Sequence, residues 1–234
     1  MSAELSRSRF APPETRRRQL IEATLEVVAE RGLSGTKVSD VTQRAGLSVG
    51  TVNQHFGSKE GLLTATLAYL AEELQAQWRD AYLRSASDAA ERLIAIVDGL
   101  YEPNVCTPTK IAVWFSFFGD AHYRQIYRGM ISSFDHERTA AISALCQELK
   151  AEGHSLDSHP NSIAQSIESL ADGLWLTLLL YPDRITRDAA RQQTRALLAS
   201  HFPHHFDVAA IAAQPQALGE HSQPLPQGCC SCSD

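Results

Sequence analysis

From Ser48 to His55 the chain reads Ser-Val-Gly-Thr-Val-Asn-Gln-His, side chains that suit recognition of duplex DNA. Asn53 and Gln54 carry the paired donor and acceptor that an adenine edge requires, and Val49, beside Gly50, offers an apolar contact for a thymine methyl. Thr36, Ser48, Thr51, His55 and Lys59 bring hydroxyls, a ring N–H and an ammonium to expected helix starts, where they suit phosphate oxygens and fix position without reading sequence. Lys37 joins this DNA-facing set. A glycine-containing turn between any two short helices gives a similar spacing, so the types of these side chains matter as much as their order.

A second group is aromatic. Trp114, Phe117 and Phe118 lie three or four residues apart and share a helical face, and Tyr123, Tyr127 and Trp175 follow, with carboxylates at Asp120 and Asp172. Rings with a nearby carboxylate attract a quaternary ammonium or other organic cation through cation–π attraction and charge neutralisation. Aromatic stripes also pack helices together, so ordinary core is the competing reading.

Other reactive residues point to no catalysis. Of nine histidines, His201, His204 and His205 come nearest to a chelating pattern, with His154 and His159 further upstream. No matching carboxylate or cysteine accompanies them and Pro203 interrupts the helix, so no metal is expected. Cys106 and Cys146 stand alone in apolar surroundings. Cys229, Cys230 and Cys232 crowd the end of the chain, an odd count that is no disulfide framework and lacks zinc-site pairing. No Ser-His-Asp spacing, phosphate loop or nucleotide fingerprint is present, so neither an enzyme nor a cofactor is expected.

Positioning the DNA-facing residues requires helices, and the pattern supplies them. Pro12 and Pro13 suit a helix start; Leu20, Ile21, Leu25 and Val28 then recur at helical spacing until Gly32. Val38 to Ala45 forms a short amphipathic helix closed by Gly46, and Ser48 caps another that runs to Phe56. Val38, Val41, Ala45, Leu47, Val52 and Phe56 are spaced to lock this pair onto the first helix. Ser58 caps a long fourth helix bearing Leu62, Leu63, Leu67 and Leu70. Beyond it no strand alternation appears, only helical runs broken at Pro103, Pro108, Gly153, Pro160 and Pro182. The expectation is an all-α chain of about nine helices: a flexible arm over 1–13, a helix-turn-helix head over 14–60, a ligand-binding and dimerisation bundle over 61–206, and a disordered tail over 207–234.

Composition agrees. The 234 residues are 44% hydrophobic, enough for a real core, and carry a net charge of −6. Residues 1–60 hold 9 basic against 7 acidic side chains and residues 61–234 hold 12 against 20, a mildly basic head on an acidic body. The absence of a long apolar run and of a signal-peptide pattern leads to the expectation of a cytoplasmic protein without membrane contact.

Over Arg17 to Leu63 the chain resembles the TetR-type repressors. The residues that carry the likeness are Ile21-Glu-Ala-Thr-Leu-Glu-Val27, Gly32, Thr36, Ala45-Gly-Leu-Ser-Val-Gly-Thr-Val52, His55-Phe56 and Ser58-Lys-Glu-Gly-Leu62. The resemblance implies a phosphate contact at Lys59 and a groove contact at Thr51. The family commonly has tyrosine where this chain has Asn53, which turns that position from phosphate toward a base. It also implies that the fourth helix couples head to ligand pocket and that the last two long helices, Ser162–Tyr181 and Ala189–Phe202, form a four-helix homodimer interface. Within the family the chain resembles the choline-responsive, BetI-like repressors of glycine betaine synthesis through Arg16-Arg-Arg-Gln-Leu-Ile-Glu-Ala-Thr-Leu25, Gly61-Leu-Leu-Thr-Ala-Thr66, Lys110 with Trp114-Phe-Ser-Phe-Phe118, and Ala171-Asp-Gly-Leu-Trp-Leu176. That subgroup tends to have tryptophan where this chain has Phe118, so a polyamine or other amine stays open beside choline. The expected function is a DNA-binding regulator, a repressor by resemblance, whose hold on a double-stranded operator is relieved by a small-molecule effector. The alternatives are a helical ligand- or partner-binding protein without operator recognition, and a regulator of a different amine or apolar effector.

Overall fold

The computed structural model describes residues 12–85, 88–153 and 159–206. Most of the expected arm, the tail from Asp207 with its three cysteines, and His154 lie outside the described residues. Among the described residues there are nine helices and no strand. None of these helices is long and apolar enough to cross a membrane.

Helix α1 (Pro13–Gly35) begins on a proline and breaks at Gly32, whose φ of 70° and ψ of 173° only glycine adopts without strain. Helices α2 (Val38–Ala45) and α3 (Val49–Phe56) are joined through Gly46, left-handed at φ 66°. Val41 and Val52 are fully buried against Leu20, Ala23, Val27 and Leu62, and Val38, Ala45, Leu47 and Phe56 pack around them, as their spacing requires.

Helix α4 (Lys59–Arg84) spans 26 residues, about 39 Å at 1.5 Å per residue. The Ser58 hydroxyl accepts from the Gly61 amide at 3.0 Å and caps it. Gly61 is obligatory for a second reason: a Cβ there would lie 2.1 Å from the Phe56 carbonyl oxygen, where α3 ends against α4.

The body comprises α5 (Ala89–Gly99), α6 (Pro108–Gly119), α7 (Ala121–Ala151), α8 (Pro160–Leu180) and α9 (Arg187–His201). Pro108 and Pro160 open α6 and α8, and Asp88, Thr107 and Thr186 cap α5, α6 and α9. Two breaks escaped the proline and glycine markers used on the sequence, the one between α4 and α5 and the one at Asp120. Asp120 separates α6 from α7 by accepting from the amides of His122 and Tyr123.

Head and body are not separate cores. Leu25, Val28 and Leu33 of α1 share one apolar cluster with Leu63, Leu67 and Leu70 of α4 and with Trp114, Phe117 and Trp175. Helix α1 packs along α6 as well as α4. A distal cluster around Leu93, Ile142, Leu145, Ile167 and Leu198 holds the far end of the bundle.

Candidate nucleic-acid interface and aromatic cavity

Helix α3 buries Val52 and turns the opposite side outward: Val49 is 49% exposed, and Gly50, Asn53 and Gln54 are exposed with it. Thr51 and His55 flank this face, half-buried, and Lys37 is exposed at the start of α2. No side chain caps α3. The Ser48 hydroxyl, expected to do so, lies 3.1 Å from that of Thr51. No side chain consumes the first-turn amides, although the Thr51 amide donates to the Ser48 carbonyl at 2.9 Å, and an uncapped helix start suits an incoming phosphate.

Two residues assigned to phosphate have other partners. Thr36 is 2% exposed and donates its hydroxyl to the Gly32 carbonyl at 2.7 Å, satisfying an acceptor that the break in α1 orphans. Its side chain is a fastening of α1, which corrects the expectation of a phosphate contact. Lys59 is half-buried and donates to the Leu33 carbonyl at 3.2 Å, tying α4 to the end of α1.

The charges of the head are sorted by position. On the α1–α2 side Arg44 is bidentate to Glu30 at 2.6 and 2.7 Å and Arg31 pairs with Asp40. The hydrogen bond from Arg44 holds the Glu30 carboxyl below its ordinary range. Beside α3, the Arg17 guanidinium sits 5.6 Å above the Phe56 ring. Sequence reasoning did not assign Arg17 to the DNA face.

Trp114 and Phe118 of α6, Tyr127 of α7, and Asp172 and Trp175 of α8 line one cavity, together with Leu74 of α4 and Leu100. It encloses about 70 Å³ that the centre of a water molecule can reach. Tyr127 stands edge-on to Phe118 at 4.9 Å and to Trp114 at 6.0 Å, and Trp114 lies 6.1 Å from Phe118. The Trp175 indole donates to the Leu100 carbonyl at 3.2 Å, which fixes its ring.

Two predicted residues are not part of this wall. Phe117 is fully buried against Tyr123, ring centres 5.6 Å apart. On α6, Phe118 falls about 40° from Trp114 around the axis, whereas Phe117 falls about 60° to the other side. Phe117 thus packs into the core and Tyr123 goes with it, toward Glu60, whose charge adds to burial in raising the Tyr123 pKa. Asp120 is the α7 cap and lies away from the cavity lining.

The cavity also gathers Asp135 and Arg138 of α7 and Glu168 of α8, which the sequence reading missed. Arg138 is bidentate to Glu168 at 2.8 and 2.6 Å and reaches Asp135 at 3.5 Å. Burial opposes its charge, but Glu168 and then Asp135 outweigh burial and hold the guanidinium firmly protonated. The Tyr127 hydroxyl donates to Asp135 at 3.0 Å; burial, then the Asp135 charge, pushes the phenol well above its ordinary value. Burial raises Asp135 as well. Asp172 is exposed at the mouth, yet burial of its carboxyl among its neighbours, and then the charge of Glu168, push it up to about 6. Three carboxyl groups thus surround one guanidinium, leaving the lining short of positive charge.

One signal for the missed residues was present. Arg138 interrupts an apolar seam on α7 formed by Ile131, Ile142, Leu145 and Leu149, and a cation in such a seam requires buried partners. The cysteines carry no comparable signal: Cys106 and Cys146 are buried, and burial raises their thiols to about 11 and about 12.

Residues 20–66 match the family described as bacterial regulatory proteins, tetR family, and residues 89–203 match the BetI-type transcriptional repressor C-terminal domain. The HTH-type transcriptional regulator BetI of Escherichia coli (strain K12) is 30% identical over 194 residues, covering 80% of this chain and 94% of its own. BetI of Burkholderia ambifaria (strain MC40-6) is 33% identical over 165 residues, covering 70% and 81%. Among solved structures, a transcriptional regulator from Pseudomonas aeruginosa PAO1 superposes with a TM-score of 0.68 at 25% identity, covering 84% of this chain and 93% of that one. A regulator from Saccharomonospora viridis in complex with choline superposes with a TM-score of 0.64 at 23% identity, covering 79% and 96%. With its helix-turn-helix outward, its cavity enclosed by the body, and regulators as its relatives, this chain belongs to the TetR family of bacterial regulators as a repressor with a BetI-type C-terminal domain.

Proposed function

We propose that this repressor grips its operator through the exposed face of α3 and releases it when a small organic cation of the choline type occupies the aromatic cavity. Asn53 and Gln54 read base edges, Val49 meets a thymine methyl, and Gly50 lets the helix approach closely. Thr51, Ser48, His55 and Lys37 hold phosphates, and Lys59 does so if it exchanges the Leu33 carbonyl for DNA. The repressor acts as a homodimer, because one short helix reads too few bases for useful affinity and two heads read two half-sites.

One observation carries the effector reading: Trp114, Phe118, Tyr127 and Trp175 surround a space whose lining holds three carboxyl groups against one guanidinium. Asp135 and Glu168 are compensated by Tyr127 and Arg138, which leaves Asp172 as the counter-ion for an incoming charge. A quaternary ammonium needs this combination, since it takes no hydrogen bond and is held by ring faces and a carboxylate. A protein of the same fold holding choline supports the reading.

Thermal denaturation of the full chain with choline, betaine aldehyde, spermidine or putrescine, against sodium chloride at equal ionic strength, tests the class of ligand. The expected result is a rise in Tm with choline that grows with its concentration. No stabilisation by any of the four at millimolar concentration rejects the cationic effector.

A further inference from the structure

We propose that the open groove between α7 and α8 is the route by which the cation reaches the aromatic cavity, and that Tyr127 is the door between them. The proposal rests on the cavity being a cation site. The groove holds about 600 Å³ that a water centre can reach and runs between Ser132, His136 and Thr139 of α7 and Gln165 and Ser169 of α8. It shares Tyr127, Asp135 and Glu168 with the cavity, so the partition between the two spaces is built from these three side chains. Of the other lining residues, Leu74, Leu100, Trp114, Ala171 and Trp175 are buried and Phe118 is half-buried, while Asp172 is exposed in helical line with Gln165, Glu168 and Ser169 of α8, on the groove side.

Tyr127 is the movable part of the partition. Asp135 and Glu168 are both tied to Arg138, which anchors them between α7 and α8. Tyr127 is tied by one hydrogen bond, from its hydroxyl to Asp135 at 3.0 Å, and otherwise only leans edge-on against Phe118 and Trp114. Rotation of its ring away from Asp135 joins the spaces and breaks no other hydrogen bond of that side chain among the described residues. The route also suits its cargo. Arg128 and His136 stand on the outer rim, while Asp135 and Glu168 lie where the groove meets the cavity and Asp172 waits one turn along α8, so attraction for a cation grows inward.

Stopped-flow measurement of tryptophan emission on mixing the full chain with tetramethylammonium chloride, against sodium chloride of equal ionic strength, tests the door. Tyr127→Phe keeps the ring and removes the latch; association is expected to quicken by about fivefold or more, and because the same hydroxyl compensates Asp135 in the cavity the effect is read in the association rate and not in Kd. Ser132→Phe fills the groove from an exposed position and is expected to slow both rates by about tenfold at nearly constant Kd. Gln165→Phe fills it from the opposite wall should Ser132→Phe fold poorly. Acrylamide quenching of the same emission reads access without any cation: it should rise in Tyr127→Phe and fall in the groove-filled variants. If tetramethylammonium does not bind the wild type, the cation reading fails, and quenching alone decides the door. Wild-type rates and quenching in both kinds of variant overturn the proposal. So does a changed oligomeric state of Ser132→Phe with unaltered rates, which would give the groove to a second copy of the chain.

Discussion

In the proposed cation site, Asp172 would serve the bound cation at the expense of the empty protein. Its pKa of about 6 lies above the 3.8 of an ordinary aspartate, so folding favours its protonated form, and at neutral pH its ionisation weighs against the fold. This contribution to stability is present at low pH and is lost as pH rises through about 6. Asp172→Asn should therefore raise the Tm of the ligand-free protein at pH 7.5 while weakening choline binding about tenfold or more, a divergence that paired calorimetric titration and thermal melts would detect. Choline carries its charge at every pH, so in the wild type its affinity should fall as pH drops below about 6 and titrates Asp172, and Asp172→Asn should lose that dependence. Arg138 is a different case. Replacing it with methionine strands Glu168 and Asp135 and should destabilise the fold by about 3–5 kcal/mol in urea denaturation, with a smaller loss when Glu168 is replaced as well. Sequence made Trp114, Phe118, Tyr127, Trp175 and Asp172 legible because aromatic residues are few and their helical spacing is plain. Asp135 and Glu168 look like surface charges until the fold sets them on either side of Arg138.

At the scale of elements, the helix-turn-helix was the most legible part of the chain, because Gly46 in its turn and Ser58 at the cap of α4 each have a local reason for their place. Gly61→Ala should loosen the head, since its Cβ would meet the Phe56 carbonyl backbone. The expected outcome is lost DNA binding with the body still folded, seen as retained cation binding. In the proposed complex the roles within α3 divide between base and phosphate contacts. Asn53→Ala and Gln54→Ala should each relax base preference at one operator position at about 1–3 kcal/mol, measured by competition among single-base variants of the site. Thr51→Ala should weaken all sites alike. Less legible were ends set by tertiary contacts. Thr36 reads as a DNA-facing hydroxyl until the break at Gly32 supplies a carbonyl for it to satisfy. The α6–α7 boundary lies at Gly119-Asp120, a stop and a cap that the sequence reading did not use.

In the whole molecule, the cavity and the DNA face are joined by one core. Helix α6 sets Trp114 and Phe118 in the cavity wall and packs along α1, the first helix of the head, while α4 runs from the end of α3 to Leu74 in the same wall. In the proposed mechanism, a cation that pushes these rings apart would shift α6 and α4 together, and the helices of the head with them. Such a ligand releases DNA only if it binds the released arrangement more tightly than the gripping one, and DNA must then weaken the cation by the same factor. The most direct test is fluorescence anisotropy of the full chain on a genomic duplex that it has itself selected, titrated with and without saturating choline chloride, with sodium chloride keeping ionic strength constant. The account predicts a loss of DNA affinity of about tenfold or more with choline, abolished in Asp172→Asn; equal affinity with and without choline would contradict it.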